Sequence, residues 1–162
     1  MVEGQKLEGR IQFILTGGSL DSHIEPPTNE VVPHEHSIIE AYMARFKFLP
    51  DAAYAEICMK DSRHISQADR GHMARVIVES PHKLFIVTHG LATLENTAQY
   101  LSDNVAHTRD DATIVLAGSK LPITDVAHSD GPLQLGYAIA QVRSLQPGIY
   151  LCNDLATQKI SL

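Results

Sequence analysis

The segment Thr16-Gly-Gly-Ser-Leu-Asp21 places a hydroxyl, Ser19, directly after two glycines and an apolar run. Glycine tolerates positive φ and a close approach of neighbouring backbone, so a Gly-Gly turn can present a hydroxyl beside bare N–H groups. A hydroxyl held in this way is a candidate nucleophile. A Gly-Gly-Ser turn can also simply end a strand, and the motif alone leaves both interpretations open.

Three further turns of small, polar or glycine residues also follow apolar runs. They are Asp61-Ser62, Thr88-His89-Gly90 and Gly118-Ser119-Lys120. Parallel strands end at one edge of a sheet, and ligands bind outside that edge, so these turns predict a small-molecule crevice. Backbone N–H groups and helix N-termini there favour a carboxylate or a developing oxyanion.

Strands and helices alternate along the chain and must position these turns. Apolar runs predict strands at 12–15, 54–59, 83–87, 113–117 and 149–152. Helical spacing predicts helices at 36–49, at about 93–101 and at 130–144, the last with Leu133 and Leu135 facing inward. Another helix is predicted to begin at Ser66, which is spaced from Asp69 as in a capping box. The pattern predicts an α/β fold, a doubly wound, flavodoxin-like three-layer sandwich with a mainly parallel sheet. Residues 20–35 are expected to form a long polar loop over the first strand.

The length and composition predict a single domain over residues 1–162. A net charge of −6 without a basic cluster argues against nucleic acid or an anionic membrane as a partner. No apolar run approaches the roughly 20 residues of a membrane span, and the first residues do not resemble a secretion signal. We therefore expect a cytoplasmic protein in which Cys58 and Cys152 are free thiols.

Metal-ligating residues are scattered. Only His34-x-His36, among the nine histidines, has a spacing of interest, and it lacks a third ligand. We expect a solvated loop there, with neither a metal site nor a cofactor.

Four ordered blocks resemble the bacterial-type L-asparaginases. The blocks are Thr16-Gly-Gly-Ser-Leu-Asp21, Met59-Lys-Asp-Ser62, Thr88-His-Gly-Leu-Ala-Thr-Leu-Glu-Asn-Thr97, and Leu116-Ala-Gly-Ser-Lys-Leu-Pro122 with Ser129-Asp-Gly-Pro-Leu-Gln-Leu135. The resemblance covers the family's amino-terminal domain and is similar to short-chain members that consist of that domain alone. It implies a doubly wound sheet, a homo-oligomer, and hydrolysis of a side-chain amide through a covalent acyl-enzyme.

The same resemblance implies roles for single residues. Ser19 falls where the family has its first catalytic threonine, and Asp61-Ser62 matches the turn that holds the substrate's carboxylate. Three catalytic positions carry residues without the required chemistry: the second threonine falls on Leu91, the adjacent aspartate on Ala92 and the lysine on Ala112. The family's loop tyrosine falls approximately on Ile24.

Two functions follow from this comparison. The first is an asparaginase-family protein with weak or lost amidohydrolase activity, which binds an Asn/Asp-like ligand. The expected ligand-binding residues are Gly18, Asp61, Ser62, Gly90, Leu91, Ala92 and Ser119. The alternative is an active amidohydrolase that uses Ser19 with a rearranged proton relay. His89 or Lys120 could replace the base, but we expect His89 to be a structural hydrogen-bonding residue and Lys120 a solvated loop residue.

Overall fold

A computed structural model describes residues 9–46, 52–125 and 127–161. The strands are β1 (Ile11–Gly17), β2 (Ser22–Glu25), β3 (Glu30–Pro33), β4 (Ala53–Lys60), β5 (Leu84–Thr88), β6 (Thr113–Ala117), β7 (Gly148–Asn153) and β8 (Ala156–Lys159). The α-helices are α1 (Ile39–Met43), α2 (Gln67–Glu79), α3 (Leu94–Val105) and α4 (Gly131–Ser144). Short 3-10 turns occupy Ser19–Asp21, Ser62–His64 and Leu91–Thr93.

The described residues form a six-stranded sheet with the order β4-β1-β5-β6-β7-β8. The first five strands in this order pair in parallel, and β8 pairs antiparallel with β7 at the edge. The order of the parallel strands corresponds to the flavodoxin-like winding, in which the direction of winding reverses beside the first strand. The predicted doubly wound α/β fold is confirmed.

The core has two layers, one on each face of the sheet, because the strands carry apolar side chains on both faces. One layer packs Phe13 and Ile86 against α1 and α4. The other packs Ile14 and Val87 against α2 and α3. These layers hold the sheet rigid, so the turns at its carboxyl edge are fixed in position.

The five predicted strands are confirmed as β1, β4, β5, β6 and β7, and their observed ends differ from the predicted ones by at most two residues. The capping box is confirmed, since the Ser66 side chain accepts from the Asp69 N–H and the Asp69 side chain accepts from the Ser66 N–H. The prediction for Leu133 is wrong, because its side chain is 57% exposed and Gln134 is buried instead. Leu135 is buried, as predicted.

Residues 20–35 do not form a simple loop, and this prediction is also wrong. They contain an antiparallel hairpin of β2 and β3, which pairs Ser22 with Pro33 at its base and Glu25 with Glu30 near its tip. The helix predicted at 36–49 is observed only as α1, and residues 47–49 lie outside the described residues.

In the part of the chain that the structure describes, no helix combines the length and the apolar content that crossing a bilayer requires. Both cysteines are free: Cys152 is buried and Cys58 is partly buried. Burial raises the pKa of the Cys58 thiol to about 11, so this thiol is protonated at neutral pH.

Candidate functional site

Three of the predicted turns meet at the carboxyl edge of the sheet, where β4, β1 and β5 end. Gly18 has φ +72°, and a Cβ built on it would lie 2.4 Å from the Gly90 nitrogen. A Cβ on Gly90 would in turn lie 2.7 Å from the Ser62 hydroxyl oxygen. At position 18 only glycine permits both the positive φ and the close backbone approach, and at position 90 the absence of a side chain leaves room for Ser62. The two glycines therefore bring the three turns into contact.

A cleft of about 530 Å³ opens above this junction. Its floor and sides come from Gly18, Ser19, residues 61–63 and residues 90–92, and the hairpin covers it with Ser22 and residues 30–33. The cleft lies beside β1, where the winding of the sheet reverses, which is where this class of fold binds ligands. Six of the seven predicted ligand-binding residues and Ser19 line it.

Ser19 lies on the cleft without an activating partner. Among the described residues, no group forms a hydrogen bond with its hydroxyl, and no lysine or histidine lines the cleft. A serine hydroxyl is a weak nucleophile unless a base accepts its proton. The geometry presents the hydroxyl to the cleft, but no described residue is hydrogen-bonded to it in a position to accept its proton.

Asp61 and Arg63, both lining the cleft, form an ion pair with each other. The Asp61 carboxylate accepts hydrogen bonds from the Arg63 backbone N–H at 2.9 Å, from Nε at 3.0 Å and from Nη2 at 2.6 Å. The hydrogen bond with the Arg63 side chain, reinforced by its backbone N–H and charge, lowers the pKa of Asp61 to about 2. Ser62 is buried, and its hydroxyl has no partner in the described part of the chain. Ser62 is therefore the free donor of this turn.

His89 is fully buried, and both of its ring nitrogens are engaged. Nδ1 lies 2.8 Å from the Gly90 carbonyl oxygen and must donate to it, which leaves Nε2 to accept from the Thr97 hydroxyl at 2.8 Å. Thr97 in turn accepts from Arg70 Nε at 3.0 Å. Burial lowers the pKa of His89 to about 4. The geometry agrees with a structural role, since neither nitrogen is available to Ser19.

Lys120 and Ser119 do not reach the cleft. Lys120 Nζ lies 3.0 Å from Asp154 Oδ1, and this hydrogen bond raises the pKa of Lys120. The Ser119 hydroxyl is buried and donates to the Leu121 carbonyl oxygen at 2.6 Å. Ser119 was predicted to bind the ligand, and the structure instead places it in the turn that follows β6. A hydroxyl committed to a main-chain carbonyl stabilises that turn and does not face a ligand.

Ala112 does not support the argument for a missing lysine. It is buried directly before β6, at the amino end of that strand, whereas Ser19 follows the carboxyl end of β1. A strand of five residues spans roughly 16 Å. A lysine at this position would therefore start from the opposite edge of the sheet. Leu91 and Ala92, the other two positions at which the resemblance implies a catalytic group, do line the cleft.

Sequence reasoning missed the contribution of the hairpin to the cleft. Its base is fixed by Asp21, which is buried and accepts hydrogen bonds from the Ser37 hydroxyl and, at 2.9 Å, from the Ile38 N–H. The Ser22 hydroxyl donates to the Gly18 carbonyl oxygen at 2.6 Å. Ile24 is 37% exposed and does not line the cleft. The apolar pair Val31-Val32 was the available signal for a strand, but the surrounding polar residues obscured it.

The fold and the cleft define an α/β domain of flavodoxin-like winding with an open cleft where that winding reverses. A family model described as asparaginase, N-terminal, matches residues 10–154. The chain therefore belongs to the asparaginase family and contains the family's N-terminal domain. Comparison with curated proteins gives no match.

Solved structures of bacterial and archaeal asparaginases share the fold. A probable cytoplasmic L-asparaginase from Campylobacter jejuni has a TM-score of 0.74 and 21% identity, and the match covers 93% of this chain and 47% of that one. L-asparaginase I from Vibrio cholerae O1 biovar eltor str. N16961 has a TM-score of 0.70 and 20% identity over 94% and 46% of the two chains. The thermostable L-asparaginase from Thermococcus kodakarensis has a TM-score of 0.66 and 25% identity over 88% and 43%. The chain thus spans less than half the length of these proteins.

Proposed function

We propose that this asparaginase-family domain binds a small amino-acid-like or dicarboxylate-like ligand in the cleft and has weak or no amidohydrolase activity. The observation that carries the proposal is the setting of Ser19: its hydroxyl lines the cleft, but no described lysine or histidine lines it, and no described residue forms a hydrogen bond with the hydroxyl through which a proton could be accepted. Loss of base function commonly costs several orders of magnitude in rate.

Leu91 and Ala92, in the neighbouring turn, support the same conclusion. Both line the cleft, and their side chains can neither donate a proton nor carry a charge. His89 and Lys120 do not replace the base, since one is fully hydrogen-bonded in the interior and the other is paired with Asp154. The residues that remain suited to a ligand are the Ser62 hydroxyl and the glycine backbone at 18 and 90.

Ligand binding is tested by thermal unfolding with asparagine, aspartate, glutamate and succinate. A ligand at about 100 times its Kd adds roughly 2.7 kcal/mol to the free energy of unfolding, which raises Tm by several degrees. Ser62→Ala is expected to remove most of this shift. Ser144→Ala, on an exposed turn of α4 away from the cleft, is the matched control and should keep it. Absence of a shift with every ligand would contradict the proposal.

The second candidate function is an active amidohydrolase that uses Ser19. One observation favours it: the Ser19 hydroxyl is free and accessible from the cleft. Release of ammonia from an amide at an ordinary enzymatic rate, lost in Ser19→Ala, would establish this function in place of the first.

We also propose that the protein acts as a cytoplasmic homo-oligomer without nucleic acid as a partner. Two unpaired cysteines agree with a reducing compartment. A net charge of −6 disfavours binding to phosphate backbones. Exposed apolar side chains such as Leu133 and Leu155 are candidate contacts between copies.

A further inference from the structure

We propose that a groove between α2 and α3 binds a phosphate group, either as inorganic phosphate or on a small phosphate ester, with Arg70 as its cationic residue. The groove has a volume of about 300 Å³. Its described lining residues are Gln67, Arg70, Thr93, Asn96 and Tyr100. None of these residues lines the cleft, so the inference does not depend on the function proposed for the cleft.

Hydrogen bonds between neighbouring elements hold the walls of the groove together. Arg70 Nε, on α2, donates to the hydroxyl of Thr97, on α3, at 3.0 Å. The Thr93 hydroxyl, directly before α3, donates at 2.8 Å to the carbonyl oxygen of Ser62, in the turn that leads toward α2. These two contacts fix the two helices and the turns before them against each other.

The guanidinium of Arg70 is held at one nitrogen and has no carboxylate partner. Thr97 is buried, and its hydroxyl donates onward to His89 Nε2, so the acceptor of Arg70 Nε is fixed from the interior. Among the described residues, the guanidinium forms no ion pair and no hydrogen bond other than the one with Thr97. Its donors at Nη1 and Nη2 therefore lack an acceptor in the described part of the chain, and paired N–H donors of this kind suit an oxyanion.

No carboxylate among the described residues lines the groove to neutralise Arg70. The acidic residue next to it in sequence, Asp69, forms an ion pair with Lys60 Nζ at 2.7 Å. Glu95, in the first turn of α3, lies outside the described lining of the groove. The groove therefore carries a positive charge without a partner, which attracts an anion most strongly at low ionic strength.

Uncharged polar groups from both helices surround this charge. In the described part of the chain, the side chains of Gln67 and Asn96 and the Tyr100 hydroxyl form no hydrogen bonds. A Cβ built on Gly71 would lie 3.6 Å from the Tyr100 hydroxyl oxygen, so this hydroxyl lies against α2. Asn96 belongs to the first turn of α3, where the helix dipole also favours an anion. A carboxylate accepts hydrogen bonds in one plane, whereas a phosphate group presents oxygens in several directions, so donors from two helices favour phosphate.

Two variants test the groove, each with a control that makes the same change of charge. Arg70→Gln removes the cation, and Arg75→Gln removes one at an exposed position of α2 outside the groove. Asn96→Asp adds a carboxylate to the groove, and Asn104→Asp adds one at an exposed position of α3 outside it. The fold tolerates Asn96→Asp, because the residue is exposed and an acidic side chain in the first turn stabilises a helix.

The proposal is tested by titrating the full chain with sodium phosphate, methyl phosphate or sodium acetate while amide chemical shifts are recorded. Sodium chloride keeps the ionic strength constant. We expect saturable shifts at residues 67–70 and 93–100 with a phosphate, and a Kd in roughly the millimolar range, as a single exposed ion pair allows. Acetate should bind more weakly. The Kd for phosphate should rise about tenfold in Arg70→Gln and in Asn96→Asp and stay unchanged in both controls.

The two phosphates identify the source of the phosphate group. Equal or tighter binding of inorganic phosphate assigns the free ion as the ligand, and tighter binding of methyl phosphate assigns an ester. The proposal would be overturned if neither phosphate gave saturable shifts, if the shifts were confined to the turns of the cleft, or if acetate bound as tightly as phosphate. An unchanged Kd in Arg70→Gln or in Asn96→Asp would overturn it as well.

Discussion

At the residue scale, Gly18 decides whether the turns of the cleft can meet. Replacement of Gly18 by alanine combines an unfavourable φ of +72° with a Cβ only 2.4 Å from the Gly90 nitrogen. We expect Gly18→Ala to lower the free energy of unfolding by about 1–3 kcal/mol or more, measured by urea denaturation. Gly136→Ala is the control, because a Cβ on this helical glycine meets nothing within 4 Å. That variant should gain about 0.5–1 kcal/mol. Equal effects at both positions would contradict the close packing of Gly18 against Gly90.

His89 is expected to make the free energy of unfolding depend on pH. Its pKa is lowered by burial to about 4, against about 6.5 in an unfolded chain. Between these two pH values the unfolded state binds more protons than the folded state. The contribution of His89 to the free energy of unfolding is therefore fully present above pH 6.5 and is lost as the pH falls toward 4. The full contribution is roughly 3 kcal/mol.

Urea unfolding at pH 7 and pH 4.5 measures this effect. His89→Gln should be less stable at pH 7 but lose less stability on acidification than the wild type does. His107→Gln, which alters an exposed histidine, should keep the wild-type pH dependence. An unchanged pH dependence in His89→Gln would show that another group is responsible. The stabilisation that comes from the lowered pKa of Asp61, about 2, is complete above about pH 4 and is lost only below that pH, so it does not enter this comparison.

The residue scale also shows what a sequence can predict about the cleft. Gly18, Ser19, Ser62 and Gly90 could be placed there because each directly follows an apolar strand, and parallel strands end at one edge. Ser119 follows a strand as well, but its hydroxyl turns back to a main-chain carbonyl, a choice that spacing does not reveal. Ala112 was placed by resemblance, which does not show at which end of a strand a residue lies.

At the element scale, the hairpin depends on Asp21. Both oxygens of this buried carboxylate accept hydrogen bonds from the segment that leads into α1. Asp21→Ala should cost about 1–3 kcal/mol, because it leaves buried donors without acceptors. Hydrogen exchange of the amides at 22–33 should accelerate more than that of β1 and β5. Asp110→Ala, at an exposed position, should leave both unchanged. If hairpin exchange in Asp21→Ala matched the wild type, Asp21 would not hold the hairpin.

The strands with the most apolar sequences were the easiest to predict. The central strands are near-continuous runs of Val, Ile and Leu, and their burial on both faces makes them easy to recognise. The hairpin and β8 are short, largely polar and exposed, so their sequences carry little alternation. In α4 the exposed Leu133 and the buried Gln134 are neighbours, and the rotation of the helix depends on tertiary packing that a periodic pattern does not contain.

At the scale of the whole molecule, the fold is that of the family, whereas residues of the cleft differ from those that the resemblance implies. The chain has the fold of the asparaginase N-terminal domain, and a cleft lies at the carboxyl edge of its sheet. In the described lining of the cleft the Ser19 hydroxyl has no hydrogen-bonded partner, and Leu91 and Ala92 stand where the resemblance implies a hydroxyl and a carboxylate. A fold of this kind supports many functions, so the function must be argued from the cleft itself.

The most direct test of the central claim is ammonia release from asparagine, glutamine and related amides by the purified wild type, Ser19→Ala and the control Ser144→Ala. Because no described residue is hydrogen-bonded to the Ser19 hydroxyl to accept its proton, we expect the wild type to release ammonia no faster than Ser19→Ala. Turnover at about 1 per second or more, present in Ser144→Ala and absent in Ser19→Ala, would contradict the account and identify Ser19 as a working nucleophile.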